Sequence, residues 1–509
     1  MGLWQWLGMT PLCWVLLRNA QLRTNGVRAA TFRVTWWFST VWLMSVMWWL
    51  FISMHRYGGL PAFVAALAVV CLCASFGAIY AAMVAWCARF AGTSRRAWVW
   101  PLGFASLWTA AELVRAQLLT GLPWGAVGYA HLDSPLSALA PWVGVYGMGW
   151  LAALLAAFSA QALFVKSKAT VLWLAALVGG VAVACVLADR LGEQSYLSAA
   201  QEQQVEVALL QGNIPQDEKF TRGKGVELAL DWYAQQIAKT NVQLILAPET
   251  AVPLLPQELE PGYWQQWTTS PTLKQGGAVM TGVPLGNPKD GYSNSVVAVE
   301  AQTAGASPPF AYQYDKHHLV PFGEFIPPFF KWFTEWMHIP LGDFNRGGLT
   351  QPSWRFLGLN WAPNICFEDL FGEELAKRFV ADADPPDVLV NFSNLGWFGD
   401  SSAIAQHLNI SRMRSKELAR PMVRVTNTGA SAVINDRGVV TSAVPPHQRT
   451  AAQVMVPVRH SGKTPYSQWV GVWGLWPVWG ICLLGLSICG LFGLCCRRFR
   501  IVTPGNRIR

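Results

Sequence analysis

Seven stretches of the chain are apolar and almost free of charge: residues 3–17, 35–54, 61–88, 98–119, 139–165, 169–188 and 470–496. Most reach the ~20 residues that a bilayer-crossing helix requires. The links between the first six are too short to hold a domain. The block 205–460 departs from this pattern and alternates short β-rich runs with amphipathic stretches. Its predicted strands are Val205–Leu210, Val242–Ala247, Ala278–Val283, Ser295–Val299, Phe310–Tyr314, Val388–Phe392, Met422–Thr426, Ala432–Asn435 and Gln453–Val456. Several are unbroken apolar runs, as expected of strands covered on both faces. Helices are predicted over Gly225–Lys239, Glu373–Val380 and Ser401–Ala419, and the β/α alternation predicts a layered sandwich. The expected organisation is a multi-span α-helical membrane domain over 1–190 with about six spans, a linker over 191–204 and an α/β domain over 205–460. A C-terminal linker and span follow over 461–496, then a basic tail over 497–509.

Composition agrees with a membrane protein. Of the 509 residues, 52% are hydrophobic and only 13% charged, where soluble domains carry roughly 25% charged residues. The 28 tryptophans suit interfacial anchoring. The net charge of +9 does not argue for nucleic acid, because the excess lies in short loops between apolar runs. Arg18, Arg23, Arg28 and Arg33, then Arg89, Arg95 and Arg96, then Lys166 and Lys168, then the tail arginines fall in segments that alternate consistently to one side. The positive-inside rule makes that side the cytoplasm and places the block 189–469 on the opposite side. The N-terminus lacks the basic start and cleavage site of a signal peptide and reads as a span.

Candidate chemistry begins with Cys366, the single cysteine between Asp189 and Trp469. It has no disulfide partner or metal-ligand spacing in that block, which leaves a nucleophile or an inert buried thiol. Two carboxylates, Glu368 and Asp369, follow it closely. Glu249, Lys316 and Cys366 each lie at or just past the end of a predicted strand, where sites collect in layered α/β folds. No Walker loop, dinucleotide fingerprint or zinc-type Cys/His spacing is present.

The segments Pro248-Glu249-Thr250-Ala251, Lys316-His317-His318-Leu319-Val320-Pro321-Phe322-Gly323-Glu324-Phe325-Ile326-Pro327 and Ile365-Cys366-Phe367-Glu368-Asp369 together resemble the nitrilase superfamily. With apolar spans on both sides, the chain resembles its membrane-anchored branch, the apolipoprotein N-acyltransferase family. Asn391-Phe392-Ser393-Asn394, Trp397-Phe398-Gly399 and Arg420-Pro421-Met422-Val423-Arg424-Val425-Thr426-Asn427 extend the resemblance. It implies an extracytoplasmic nitrilase-like α-β-β-α sandwich and a Glu249, Lys316, Cys366 triad, with Glu324 and Glu368 as supporting carboxylates. It also implies acyl transfer from a membrane phospholipid, through a cysteine thioester, to the N-terminal amine of a diacylated apolipoprotein. Neither cofactor nor metal is implied, and the expected enzyme is a monomer of the bacterial inner membrane. In this reading Lys316 favours the thiolate, Glu249 is the base, and Lys316 with a main-chain N–H beside Cys366 meets the developing oxyanion.

Three further groups draw attention. The aromatic run from Phe325 to Met337, including Phe329 and Trp332, suits an arm in the membrane interface that admits acyl chains, and Trp397 and Phe398 suit a wall of the acyl site. Glu112 and Arg115 lie three residues apart inside the fourth apolar run, where mutual pairing is the economical arrangement and a lipid headgroup the alternative. His317 and His318 raise a Cys–His pair as an alternative to the triad. The chain is expected to depart from the family at three points: seven spans where the family has eight, through either a late start or a true lack of the first, Phe367 where tyrosine is common, and Leu395-Gly396 in place of a pair containing aspartate. Two rival functions stand beside acyl transfer, a membrane-tethered amidase acting on a soluble amide and a silent lipoprotein-binding scaffold.

Overall fold

The computed structural model describes residues 1–21, 26–89, 98–197, 202–303, 310–326, 344–381 and 385–498. The chain divides into two compact units. One comprises Met1–Trp48, Phe63–Leu191 and Trp473–Arg509, and the other Trp49–Ala62 and Gly192–Val472.

The first unit is helical: α1 (Gly2–Gln21), α2 (Val27–Met47), α3 (Ala62–Val84), α4 (Val99–Gln117), α5 (Ala140–Val165) and α6 (Lys168–Ser195), joined by α11 (Trp476–Arg498) near the end of the chain. Among the described residues, Ala62–Ala88, Pro135–Val165 and Lys168–Ser195 can cross a membrane by length and composition, and two further broken helix pairs bring the count to as many as five. The expected spans at 3–17 and 98–119 are helices but do not meet that measure. In α4 the reason is visible, because its buried face carries Ser106, Thr109, Glu112 and Arg115 as well as apolar residues. Glu112 and Arg115 attract each other as opposite charges, but their hydrogen bonds go to other groups. Arg115 donates to the carbonyls of Leu122 and Trp124 and to the Tyr80 hydroxyl, while Glu112 accepts the Val127 N–H. Both are fully buried, and the main chain and a phenol supply hydrogen bonds beside the expected attraction of the two charges.

The expected span at 35–54 also differs. Helix α2 stops at Met47, and residues from Trp49 onward belong to the second unit. The chain there becomes polar at Ser53, His55 and Arg56, and it finds partners in that unit: Trp49 Nε1 donates to Gln406 at 3.1 Å and Arg56 pairs with Asp217 at 3.3 Å.

The second unit is built on two six-stranded sheets. The first has the order β12-β1-β2-β3-β4-β5, with β1 Gln203–Gln211, β2 Leu244–Ala247, β3 Ala278–Asn287, β4 Gly291–Glu300, β5 Tyr312–Asp315 and β12 Thr450–Val458. The second has the order β11-β10-β9-β8-β7-β6, with β6 Trp354–Phe356, β7 Leu359–Ile365, β8 Val388–Ser393, β9 Met422–Thr426, β10 Ala432–Ile434 and β11 Val440–Ala443. Side chains alternate across each strand. Val205, Val207 and Leu209 of β1 enter one apolar core together with Trp361, Ile365, Val390 and Phe392 of the other sheet. Ala208 and Leu210 enter another, with Ala229, Tyr233 and Ile237 of α7 (Gly225–Lys239). The buried positions of α7 recur at helical spacing, which explains why this stretch forms a helix against a sheet. Helices α8 (Gly372–Ala381) and α9 (Ser402–Leu418) belong to the second sheet's side, with α9 packed against β9, and α10 (Pro465–Trp473) closes the unit. The result is the α/β sandwich expected from the sequence.

Strands β6 and β11 were not expected. Strand β6 is three residues long and is paired with β7 through a two-residue connection, Leu357-Gly358, in which both φ angles are positive (53° and 74°). Such mirror-image turns are normally signalled by Asn-Gly or Asp-Gly, and Leu357 hides the signal. Strand β11 is a half-exposed edge with little apolar content.

Candidate active site

Glu249 and Cys366 follow strands from the parallel part of each sheet, and Lys316 follows the antiparallel edge strand β5. Strand β2 is fully buried and runs parallel to β1 and β3, and Pro248-Glu249 follows its carboxyl end. The next residue, Thr250, has a positive φ of 52°. This sharp turn rests on β3, where Gly282 donates to Pro248 O and a Cβ would fall 2.4 Å from Thr250 N. Glycine is required there because the Glu249 backbone occupies the space. The Glu249 carbonyl accepts from Lys219 Nζ at 3.0 Å.

Lys316 follows β5 and is tied to β4 by its N–H, which donates to Asn294 O at 2.8 Å. Its ammonium is buried between two carboxylates, 2.9 Å from Glu324 Oε1 and 3.4 Å from Glu249 Oε1. Asn294 Nδ2 donates to the same two oxygens, at 2.8 Å each. Glu324 Oε2 accepts the Val320 N–H and Glu249 Oε2 accepts the Asn394 N–H. Burial pulls Lys316 down, but Glu324 and Glu249 outweigh it and hold the ammonium above its ordinary value.

Cys366 caps β7 in a left-handed conformation, with φ of 51°. A non-glycine residue in this region is held by its surroundings and turns its side chain out of the strand direction. Two elements hold it. Ahead of it, Glu368 accepts from Ile365 N, His317 N, His318 N and the Tyr314 hydroxyl, with distances from 2.6 to 3.1 Å. One carboxylate thus joins the turn after Cys366 to the loop that carries Lys316. Behind it, the Cys366 carbonyl accepts from Asn391 Nδ2 at 3.2 Å and faces His407 Nε2 at 3.3 Å. Arg424 donates to His407 Nδ1 at 2.9 Å, which leaves the ring proton on Nε2, and His407 Nε2 also lies 2.9 Å from Asp369. Arg424 and Asp369 complete this fully buried group with Ser411, which hydrogen-bonds to both.

The sulfur itself is a thiol at rest. Burial pushes its pKa up, Glu249 and Glu324 add to the rise, and Lys316 and the Asn394 N–H oppose it without prevailing. Lys316 thus favours the thiolate, as expected, but burial and the two carboxylates outweigh it. A single ammonium shared by two carboxylates lies in a region of net negative charge.

The other expected residues distribute as follows. Phe367 is buried against His318 and Phe371, with ring centroids 5.7 and 5.3 Å away. Phe398 and Cys366 pack against the same small apolar cluster of Leu395, Ile404 and Ala430, and Phe398 meets Trp49 at 4.4 Å. Trp397 remains 40% exposed, edge-on to Tyr57 at 5.5 Å. Phe325 is half-buried beneath the Arg346 guanidinium at 4.8 Å. Phe329 and Trp332 lie outside the described residues. His317 Nδ1 engages Gly347 O at 2.8 Å, and His318 pairs with Glu374 at 3.0 Å while stacking on Phe371. Both rings thus have other partners, which removes the support for a Cys–His pair. Sequence reasoning missed Asn294, Lys219, His407 and the role of Asp369. Asn294 had a faint signal, since Ser293-Asn294-Ser295 interrupts an otherwise apolar strand.

Comparison with known proteins follows the same division of the chain. Residues 1–158 match the apolipoprotein N-acyltransferase N-terminal domain and residues 206–466 match the carbon-nitrogen hydrolase family. An apolipoprotein N-acyltransferase of Verminephrobacter eiseniae is 48% identical over 495 residues, covering 93% of this chain and 90% of that protein. The chain belongs to the apolipoprotein N-acyltransferase family. A second member, from Ralstonia nicotianae, is 41% identical over 80% of this chain and 76% of its own length. Among solved structures, an amidase of Nesterenkonia from the nitrilase superfamily aligns with 52% of this chain and 93% of its own, at 14% identity and a TM-score of 0.35. The α/β unit accompanies a set of apolar helices, and the protein is membrane-embedded.

Proposed function

We propose that this protein transfers a fatty acyl chain from a membrane phospholipid to the N-terminal amine of an S-diacylglyceryl-cysteine lipoprotein, with Cys366 holding the chain between the two steps. The observation that carries this reading is the buried square of Glu249, Asn294, Glu324 and Lys316 beside a cysteine held at positive φ. Membership in a family named for this acylation supplies the substrate class.

In the first step the phospholipid ester carbonyl approaches Cys366. The sulfur attacks the carbonyl carbon as its proton passes to Glu249, so ionisation and bond formation are coupled. Lys316 and a main-chain N–H next to Cys366 stabilise the oxyanion. The C–O bond breaks, Glu249 returns the proton to the leaving oxygen, and lysophospholipid departs. In the second step the neutral amine of the acceptor attacks the thioester. Its proton moves to Glu249, the C–S bond breaks, and the proton ends on sulfur. No net proton or electron is consumed, and the cycle is ping-pong.

The resting thiol fits this scheme, since a transient base beside the sulfur removes the need for a standing thiolate. Trp397 and Phe398 are the proposed wall for the acyl chain, with Phe325, Phe329 and Trp332 as further contacts. Glu324, Glu368 and Phe367 are supporting residues. The distribution of arginines and lysines in the connecting segments supports a multi-pass protein of the inner membrane with Cys366 on the periplasmic side.

Mass spectrometry of the purified full-length protein mixed with phospholipid vesicles tests the proposal. A mass increase of one acyl chain on Cys366 is expected, and a diacylglyceryl-cysteine peptide should discharge it as an N-acyl product. An adduct on another residue, or full turnover by Cys366→Ala, would overturn it.

A further inference from the structure

Asn294 is 8% exposed and lies on β4. Its two amide hydrogens are divided between Glu249 Oε1 and Glu324 Oε1, each at 2.8 Å, and its carbonyl accepts the Lys316 N–H at 2.8 Å. The amide orientation follows from chemistry. Carboxylates only accept, so the NH₂ group must face them, and the opposite orientation would set three acceptors together. One side chain and its own backbone thus contact all three charged members of the square.

We propose that Asn294 is a positioning residue for acyl transfer, bridging Glu249 and Glu324 so that the two carboxylates are held apart and Glu249 is oriented to take the Cys366 proton. The inference rests on the function proposed above and assigns a further residue to that site.

Two buried carboxylates cannot share a site as anions unless donors separate them. Lys316 supplies one positive charge, which leaves the pair in excess by one negative charge. A second cation at position 294 would neutralise the pair and weaken Glu249 as a base. A neutral donor of two hydrogens stabilises both anions and adds no charge. The remaining titratable groups near Glu249 are Lys219, bonded to its carbonyl, and Cys366. The two oxygens that Asn294 joins are bonded among the described residues by Asn294 and Lys316, so the bridge depends on that pair.

The test measures the rate of Cys366 acylation against pH in the full-length protein and in Asn294→Ala and Asn294→Asp. Two acyl donors are used, phosphatidylethanolamine vesicles and p-nitrophenyl butyrate. In both variants the acid limb of the profile is expected to move to higher pH, by about one pH unit for Ala and further for Asp, which adds a third carboxylate. The plateau rate should fall roughly ten- to a hundredfold. Ala leaves only a small void and is the variant read if Asp does not fold. A limb that coincides with wild type, a slower plateau with an unmoved limb, or unfolding of the Ala variant would overturn the positioning role. Wild-type acylation by the nitrophenyl ester but not by phospholipid would sink the proposed function and leave the Asn294 profiles readable. Absence of any adduct on Cys366 from either donor would overturn both.

Discussion

Lys316 leans toward Glu324: its ammonium lies 2.9 Å from Glu324 Oε1 and 3.4 Å from Glu249 Oε1. The closer carboxylate holds the lysine and the farther one is freer to exchange a proton. Glu324→Gln should therefore turn Lys316 fully onto Glu249 and weaken that carboxylate as a base. Acylation of Cys366 is expected to slow by about 10–10²-fold, the scale of one charge-assisted hydrogen bond. Glu249→Gln removes the base and should cost about 10²–10⁴-fold. Single-turnover rates with labelled phospholipid measure both. A larger loss in Glu324→Gln than in Glu249→Gln would move the base assignment to Glu324.

Cys366 is expected to react slowly with a small alkylating agent. Burial and the two carboxylates raise its pKa above that of an ordinary thiol. Because the thiolate is the reactive form, iodoacetamide labelling at pH 8 should run at least about tenfold slower than for a free peptide thiol, since each unit of pKa is a factor of ten in thiolate. The rate should still be rising at pH 10. A plateau reached below pH 8 would mean that the site stores a thiolate at rest, and the coupled proton transfer to Glu249 would lose its reason.

The second buried lysine gives a stability prediction with a definite sign. Burial lowers Lys219 from 10.5 to about 8, and Glu249 and Cys366 only partly oppose the fall. Between those two pH values the unfolded chain carries a proton there that the folded chain lacks, so folding is favoured as pH rises through that window. Below pH 8 the folded protein bears the cost of a buried charge, at most about 3 kcal/mol. Lys219→Met removes the titration, at the loss of one hydrogen bond to Glu249 O. The variant's melting temperature relative to wild type should be highest below pH 8 and should decline steadily toward pH 10.5. A difference that does not change with pH would show that Lys219 titrates normally.

What the sequence disclosed depended on the range of the forces involved. The strands of the sandwich were legible because burial on both faces leaves unbroken apolar runs, as in Leu244–Ala247 and Val388–Phe392. Helix α7 was legible because Val226, Ala229, Tyr233 and Ile237 recur at helical spacing. Glu249, Lys316 and Cys366 stood out because each follows a strand and together they match a family pattern. Asn294, Lys219 and His407 did not stand out, since their partners lie 45, 30 and 41 residues away in the chain. The full balance at Cys366 was hidden for the same reason, since one ammonium favours the thiolate while burial and two carboxylates from distant segments oppose it. The end of α2 was missed because Trp48 and Trp49 continue an apolar run, although Trp49 already belongs to the other unit.

Glu368 offers the clearest separation of architecture from chemistry. Its carboxylate accepts three main-chain N–H groups and the Tyr314 hydroxyl, and through them it joins the Cys366 turn to the Lys316 loop. Burial raises its pKa, against the pull of the Ile365 N–H, the Lys316 charge and the amides of His318 and His317. In Glu368→Gln one acceptor oxygen becomes a donor that must face an N–H or hydroxyl hydrogen. Leaving such a buried group unsatisfied costs about 1–3 kcal/mol, so the melting temperature should fall while the fold survives. Acylation should fall further than the stability loss implies, because the distance between Cys366 and Lys316 is no longer held. Glu368→Ala removes all four contacts and should lower stability more than Gln. Thermal unfolding and single-turnover acylation on the same samples separate the two effects. If Glu368→Gln melts lower yet acylates at the wild-type rate, the link between the turn and the loop has no part in catalysis, and Glu368 serves the fold alone.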